Sequence, residues 1–437
     1  MSNLVPEEWC LISISDICNG KHGVVDGPFG SNLKTEHYRE TGIPVFQSGF
    51  VTSNRFIKKN YVFVDQEKYQ EQIRSSAAPS DILMAKIGMN AGACAIIPKG
   101  HPVGILAGNS LKMTVNKDVA SNYFLVSHLH FMQLNGELGK LLTETAQPAI
   151  SISTLRRHLV PLPPLSEQRK IAAILTSVDE VIEKTQAQID KLKDLKTAMM
   201  QTLLTNGVGT KHGDKYVPHI EFKDSPVGRI PKNWEVSSLG ELASFITSGS
   251  RGWAEYYSKS GAMFIRIGNL TREHINFRFK DVVHVTPPNS AEGKRTLVKT
   301  GDVLISITAD LGIIAVVNDD LGEAYVNQHI SLVRLNNPEI SRWVGHFLSY
   351  ENSQKQFTAN NDSGAKAGLN LMSIRNTKVA IPPIEEMHQI VKTLDSLDSW
   401  IAIKQEKLSK VQDNKKALMQ DLLTGKVRVK VDNDSVV

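Results

Sequence analysis

The feature that most constrains this chain is a stretch that occurs twice. Residues 162–208 return as residues 381–427, and adding 219 to any position in the first copy gives its partner in the second. The match runs without a gap over 47 positions, nineteen of them identical. Pro163-Pro164 matches Pro382-Pro383, Glu167 matches Glu386, and Asp179 matches Asp398. Leu203-Leu204-Thr205 matches Leu422-Leu423-Thr424. A repeat of this kind limits the architecture before any single residue is interpreted.

Each copy reads as one long helix. The Pro-Pro pair suits a helix start, where a missing N–H costs nothing, and Ser166-Glu167-Gln168 supplies a cap and an acidic first turn. Apolar residues follow at steps of four and three: Ile171, Leu175, Val178, Ile182, Ile189, Leu192, Met199 and Leu203. The second copy gives Ile390, Leu394, Leu397, Ile401, Leu408, Val411, Leu418 and Leu422. This is a heptad seam. It breaks at the same two rungs in both copies, Thr185 and Lys196 in the first, Lys404 and Lys415 in the second. Gly425 follows the last apolar residue, a common helix stop. Either each seam packs on its own globule or the two helices pack on each other. The shared phase and shared polar rungs favour the second, as a pseudo-symmetric antiparallel pair. From Ile171 to Leu203 the helix would rise about 48 Å, too long for one small core, so it would separate whatever sits at its two ends.

A length of 437 residues suggests two or three domains, and 41% hydrophobic residues suffice for real cores. A net charge of +5 permits a nucleic-acid partner without demanding one. Cys10, Cys18 and Cys94 show no paired spacing, which fits a reducing compartment and argues against a cysteine-rich zinc site. The first ten residues are polar and acidic, unlike a signal peptide. The longest apolar run, Leu311 to Val317, is too short to span a membrane. The expectation is a soluble cytoplasmic protein.

In order, residues 1–160 read as a mixed globule. Short apolar runs such as Ile43–Phe46, Ile82–Met84 and Leu111–Val115 alternate with glycine-rich turns, and Asn122–Leu142 reads as helical. Residues 161–208 are the first helical region, and 209–232, rich in Gly and Pro, read as a linker. Residues 233–380 form a second globule, 381–425 the second helical region and 426–437 a tail. The globules echo each other weakly. Pro6 and Trp9 correspond to Pro231 and Trp234, Asp81-Ile82-Leu83 to Asp302-Val303-Leu304, Ala146-Gln147 to Ala365-Lys366, and Arg156 to Arg375. Structural residues match while polar loop residues diverge. That pattern suits two readers of different things on one duplicated scaffold.

With these residues in view, the chain resembles the specificity subunit of a type I restriction–modification enzyme. The resemblance covers the whole chain. It rests on the order of segments, on Pro163 to Gln168 (PPLSEQ), on Leu422 to Lys426 (LLTGK) and on Gly228 to Glu235 (GRIPKNWE). The second copy departs from the opening pattern, with Ile384-Glu385-Glu386-Met387 in place of Leu165-Ser166-Glu167-Gln168. The resemblance implies an α+β fold with two target-recognition globules, each reading half of a split, asymmetric site in double-stranded DNA. The two helices would form an antiparallel coiled coil that fixes the gap. Two modification subunits would dock on it and methylate adenine with S-adenosylmethionine. Two restriction subunits would add ATP- and magnesium-dependent translocation and cleavage. The specificity subunit itself would carry no cofactor and no catalysis.

An adenine methyltransferase needs an Asp/Asn-Pro-Pro-aromatic element to hold a flipped base. The Pro-Pro pairs here are followed by Leu165, Asn289 and Ile384. Gly139-Lys140 and Gly425-Lys426 are not followed by Ser or Thr, so no phosphate loop is present. His128 and His130 lie two apart on a predicted helix and would face different sides, a poor ligand pair. The competing reading is a stand-alone DNA methyltransferase or nuclease with divergent motifs.

Base edges are read by Arg, Lys, Asn and Gln, and phosphates by Lys, Arg, Ser and Thr. In the first globule the candidates are Ser31, Asn32, Lys34, Gln47, Lys86, Asn109 and Lys112. In the second they are Ser250, Arg251, Arg266, Asn269, Arg272, Gln328, Lys366 and Asn370. For each, the plain alternative is a solvated surface residue. Trp253, Tyr256 and Tyr257 beside Arg251 could stack on nucleic acid or belong to a core.

Overall fold

The computed structural model describes all residues except 1–5, 29, 53, 58–59, 144–146, 214, 319–320, 360–367 and 432–437, and the side chains of Lys21 and Ser31. Ala146, Ala365 and Lys366, which carry one of the matches between globules, lie outside the described residues. The chain forms two compact units, residues 1–186 with 406–437, and residues 187–405. Both boundaries fall inside the repeated helices. Each unit therefore joins one globule to half of each repeat copy.

The first unit begins with β1 (Cys10–Ser13), α1 (Ile14–Ile17), β2 (Val24–Asp26), β3 (Ile43–Phe46), β4 (Phe63–Val64) and α2 (Gln66–Glu71). It continues with β5 (Ser76–Ala77), β6 (Ile82–Ala85), β7 (Cys94–Ile96), β8 (Gly104–Leu106) and β9 (Ser110–Met113). Then come α3 (Asn122–Leu134), α4 (Ile152–Arg157), β10 (Leu159–Leu162) and the first long helix, α5 (Leu165–Asn206). One sheet has the order β2-β9-β6-β7, the other β4-β3-β8-β5, and β3 runs parallel to β8. The two-residue period of a strand builds the layers. Val24, Ile82, Met84 and Leu111 join a core with Phe124 and Leu129 of α3. Val25, Leu83 and Ala85 face the other way, onto Phe46 and Leu106 of the second sheet. Helix α3 stops at Leu134, short of the expected Leu142. Gly136 takes the left-handed conformation (φ 78°), and residues 137–141 wind as a tighter turn.

After α5 come β11 (Thr210–His212) with β12 (Lys215–Val217), and β13 (Phe222–Lys223) with β14 (Ile230–Pro231). The expected linker is thus built of two short strand pairs. The second globule holds β15 (Glu235–Ser238), α6 (Leu239–Leu242), β16 (Ala243–Ser248), β17 (Tyr257–Ser258), β18 (Ala262–Ile265) and β19 (Val283–Val285). It goes on with α7 (Ala291–Thr296), β20 (Val303–Ser306), β21 (Ile314–Val316), β22 (Ala324–Val326), β23 (Ile330–Leu335) and α8 (Ser341–Ser349). It closes with α9 (Glu351–Ala359), α10 (Leu371–Asn376), β24 (Lys378–Ile381) and the second long helix, α11 (Ile384–Leu423). Its sheets run β16-β23-β20-β21 and β17-β19-β18-β22, with β18 parallel to β22. The alternation repeats. Val303 and Ile305 pack with Trp343 of α8, while Leu304 packs with Ile265 and Val326 of the other sheet. The weak echo in sequence is thus a shared fold.

Both long helices start at equivalent positions, Leu165 and Ile384, although their opening residues differ. Ser166 lies inside the first turn and is exposed, so it is not the cap. Instead Gln168 fastens the helix start, accepting from Ser121 N (2.8 Å) and donating to Pro163 O (2.8 Å). In the first unit Lys415 Nζ donates to Asp179 Oδ1 (2.6 Å), and Arg428 reaches Glu167 (2.7 Å). As one index rises the other falls, so the halves run antiparallel. In the second unit Lys404 Nζ donates to Gln188 Oε1 (2.8 Å) and Lys196 pairs with Asp398, again antiparallel. Each seam starts on its own globule, ends in the core of the other, and pairs across the helices at the rungs between. Ile171, Leu175, Leu422 and Leu423 enter the first globule's core. Leu203, Ile390 and Leu394 enter the second's. Of the polar rungs, Lys196, Lys404 and Lys415 carry the cross-helix bonds, while Thr185 donates to Val181 O of its own helix (2.7 Å). Ile182, Ile189, Leu397 and Ile401 are buried, and Val178, Leu192, Met199, Leu408, Val411 and Leu418 half-buried.

Candidate nucleic-acid interface

In each globule the polar candidates gather just past the C-terminal ends of the parallel strand pair. In the first, Gln47 follows β3 and Asn109 sits in the turn between β8 and β9. The Asn109 side chain accepts from Ser48 N (3.3 Å), and its carbonyl accepts from Lys86 N (2.8 Å). Gly27 lets the next loop approach this turn, because a Cβ there would sit 1.9 Å from Ala107 O. That loop carries Asn32 and Lys34, both exposed. Ser31's side chain lies outside the described residues.

Lys86 and Lys112 need correcting as candidates. Lys86 Nζ lies 2.7 Å from Asp26, and Lys112 Nζ 3.2 Å from Asp81, with all four side chains nearly buried. A carboxylate buried in a sheet requires a cation partner, so these lysines are spent on the fold and not presented to a ligand.

The second globule repeats the frame. Gly249 allows the approach of Asn327, whose carbonyl lies 2.1 Å from a Cβ built there. Arg266 follows β18, and Gln328 follows β22 with its amide 3.1 Å from His329 Nε2. Ser250 is wholly buried and donates to Thr296 Oγ1 (2.9 Å), so it is a packing residue. Asn269 is also buried. Its Oδ1 accepts from Arg266 N (3.0 Å), and its Nδ2 donates to Arg278 O (3.2 Å) and Lys280 O (3.4 Å). Arg266 Nη2 donates to Asp281 O (2.8 Å). Two predicted readers therefore act as the frame of one loop, Arg278 to Asp281. That loop holds out Phe279, 63% exposed, between two cations. Sequence reasoning missed Arg278, Phe279 and Lys280, although an aromatic between two cations was a usable signal.

Arg251 is exposed. Arg272 is exposed and bridges Asp310 (2.5 Å) and Gln354 (3.1 Å). Asn370 caps α10 by accepting from Ser373 N (2.8 Å), a structural duty. Lys366 lies outside the described residues. Trp253 is buried and stacked on Phe264 (5.6 Å), which assigns it to the core, whereas Tyr257 is half exposed.

Among the described residues one trio has its ligand atoms already within 4.8 Å of one another, His346, Asp395 and Asp398. Arg342 already clamps Asp395 with two bonds of 2.6 Å, and Lys196 pairs with Asp398. A dication there would face two cations, so the donor set does not fit one. No described helix is long and apolar enough to cross a membrane.

Residues 6–194 and 231–413 match the family model described as the type I restriction modification DNA specificity domain. The putative type I restriction enzyme MjaX specificity subunit of Methanocaldococcus jannaschii is 27% identical over 434 residues, spanning 98% of this chain and 95% of the relative. The EcoBI specificity subunit of Escherichia coli is 24% identical, spanning 91% and 80%. The crystal structure of the type I restriction–modification S subunit from M. genitalium shares the fold, with a TM-score of 0.59, 14% identity and coverage of 95% and 96%. On its architecture and on the match of both its halves, the chain belongs to the type I restriction–modification DNA specificity family.

Proposed function

We propose that this chain reads a bipartite, asymmetric site in double-stranded DNA, one half per globule, as the non-catalytic specificity subunit of a type I complex. The observation that supports it most is a common frame with unlike tips. Both globules share the order of one sheet, and in the other the parallel pair with the antiparallel strand beside it. Past those strand ends one offers Gln47 and Asn109, the other Gln328 and the Arg278-Phe279-Lys280 loop. Readers of two different sequences need the same scaffold and different side chains at the base edges. The long helices dock two modification subunits, which methylate adenine with S-adenosylmethionine. Two restriction subunits cleave unmodified DNA using ATP and magnesium. This chain binds none of those cofactors and works in the cytoplasm.

The test is to assemble the chain with its modification subunits and map methylated adenines by sequencing. Replacing Arg278, Phe279 and Lys280 together by alanine should relax or abolish one half-site and leave the other unchanged. A loss spread over both halves, or transfer from labelled S-adenosylmethionine by the chain alone, would overturn the reading.

A further inference from the structure

We propose that the first globule holds a divalent transition-metal ion between His128 and His158, with Glu137 as a third ligand. His128 lies on α3, and His158 sits at the joint between α4 and β10. Their rings stand 6.0 Å apart at 32°. His128 Nδ1 and Nε2 and His158 Nε2 are buried and find no hydrogen-bond partner among the described residues. A buried polar nitrogen left unpaired is costly, and an ion between the rings would take one nitrogen from each. Both rings line a cleft of about 580 Å³, with Glu137 on the same wall.

The repeat supplies a control. Adding 219 to these positions gives Phe347, Thr377 and Gln356. Phe347 is buried in the second core, so an apolar ring fills the place of His128 when packing alone is required. Gln356 bonds the backbone of Lys378, its Oε1 accepting from Lys378 N (2.8 Å) and its Nε2 donating to Lys378 O (3.0 Å), beside Thr377. In the second copy, then, the side chain at the Glu137 position reaches the residue next to the one that stands for His158. Only the first globule carries two imidazoles and a carboxylate there.

The chemistry suits a metal that favours imidazole, such as zinc, cobalt or nickel. Burial pushes His128 down to about 3, with His158 adding to the effect, and burial also lowers His158. A metal takes imidazole in its neutral form, through the lone pair of one ring nitrogen. Nitrogen–metal bonds of about 2.0–2.1 Å would require the rings to close by about 1 Å. Glu137 is half exposed and held only by a 4.0 Å contact with Lys140, so it is free to turn inward. Lys426, the cation on the cleft wall, is engaged by Asp421 at 2.9 Å.

The experiment uses the full-length chain, stripped with chelator, then titrated with zinc by calorimetry and with cobalt by visible absorption. One equivalent should bind, the cobalt form should show ligand-field bands, and zinc should raise the unfolding temperature. His128→Phe and His158→Thr install the residues of the second copy. Each should weaken zinc binding by at least about 100-fold and abolish the thermal shift, and Glu137→Gln should weaken it about 10-fold. Circular dichroism reports whether each variant is folded. Should His128→Phe fail to fold, the less buried His158→Thr and the wild-type cobalt spectrum decide. Binding that survives His158→Thr unchanged, or no saturable binding by the wild type, overturns the proposal.

Discussion

The indole of Trp234 donates a 3.0 Å hydrogen bond to Glu386, and neither residue has appreciable exposed surface. Their repeat equivalents, Trp9 and Glu167, make the same contact at 3.3 Å. Glu386 also accepts from Val208 N (2.9 Å) and Gly209 N (3.0 Å), and His219 Nε2 stands 2.9 Å away. Glu167 instead takes Arg428 through two bonds of 2.7 and 2.8 Å. In each unit, then, chain that has just left one long helix returns to a carboxylate at the start of the other.

Glu386→Ala should therefore destabilise the second unit by about 2–4 kcal/mol, because two backbone N–H groups and an indole lose their acceptor inside the core. Glu167→Ala should cost less, since Arg428 is partly exposed and retains Glu8 at 2.6 Å. Urea unfolding followed by tryptophan fluorescence gives the order. A smaller loss at Glu386 than at Glu167 would contradict this account.

Lys196 and Lys415 occupy the same rung of the repeat but not the same environment. Lys196 and Asp398 are both buried, whereas the side chains of Lys415 and Asp179 keep 21% and 39% of their surface. Lys196→Met strands a buried carboxylate and should cost about 3–5 kcal/mol. Lys415→Met should cost about 1 kcal/mol or less. Adding Asp398→Leu to Lys196→Met should restore most of the loss, since a matched apolar pair is often no worse than a buried ion pair. A double-mutant cycle on denaturation midpoints checks all three values.

Asp395 ties α11 to α8 in the second unit. Burial alone would raise its pKa, but hydrogen bonds from His346 and Arg342 hold it down at about 2, against 3.8 for a free side chain. A depressed carboxylate stabilises the fold above its unfolded value, and that stability drains as pH falls from about 4 through about 2. The contribution is on the order of 2 kcal/mol at most, since the side chain is partly exposed. Asp395→Asn should thus lose stability at pH 7 and show a flatter dependence between pH 4 and pH 2. Parallel acid profiles for the wild type would refute the assignment.

The long helices are legible in the sequence because their signal is local. The heptad phase repeats, Pro-Pro marks the start, and Gly425 marks the stop. The polar rungs are legible as positions, but their partners are not. Lys196 finds Asp398 only once two distant segments run antiparallel. The same limit explains the misread cations. Lys86 and Lys112 look like any strand-end lysine until β-pairing sets Asp26 and Asp81 beside them. Asn269 reads as a base-reading amide until burial shows it bracing a loop. For His128, the sequence offers only His130, two residues away and on a different side of the helix. The packing of α3 against the end of α4 points to His158, thirty residues on.

The loop that Asn269 and Arg266 brace yields the sharpest test of DNA contact. If Lys280 touches a phosphate, Lys280→Ala should weaken binding equally for all sequences and lower the salt slope of log K by about 1. If Phe279 stacks or wedges against bases, Phe279→Ala should cost about 1–3 kcal/mol without changing that slope. Arg266→Ala removes the bond to Asp281 O and frees the loop. It should weaken the second half-site as much as the loop variants do, while leaving the first half-site intact. Fluorescence anisotropy across a salt series, with the modification subunits present and each half-site scrambled in turn, separates the three. A salt slope unchanged in Lys280→Ala, together with full affinity in Phe279→Ala, would remove this loop from the interface and shift attention to Arg251 and Gln328.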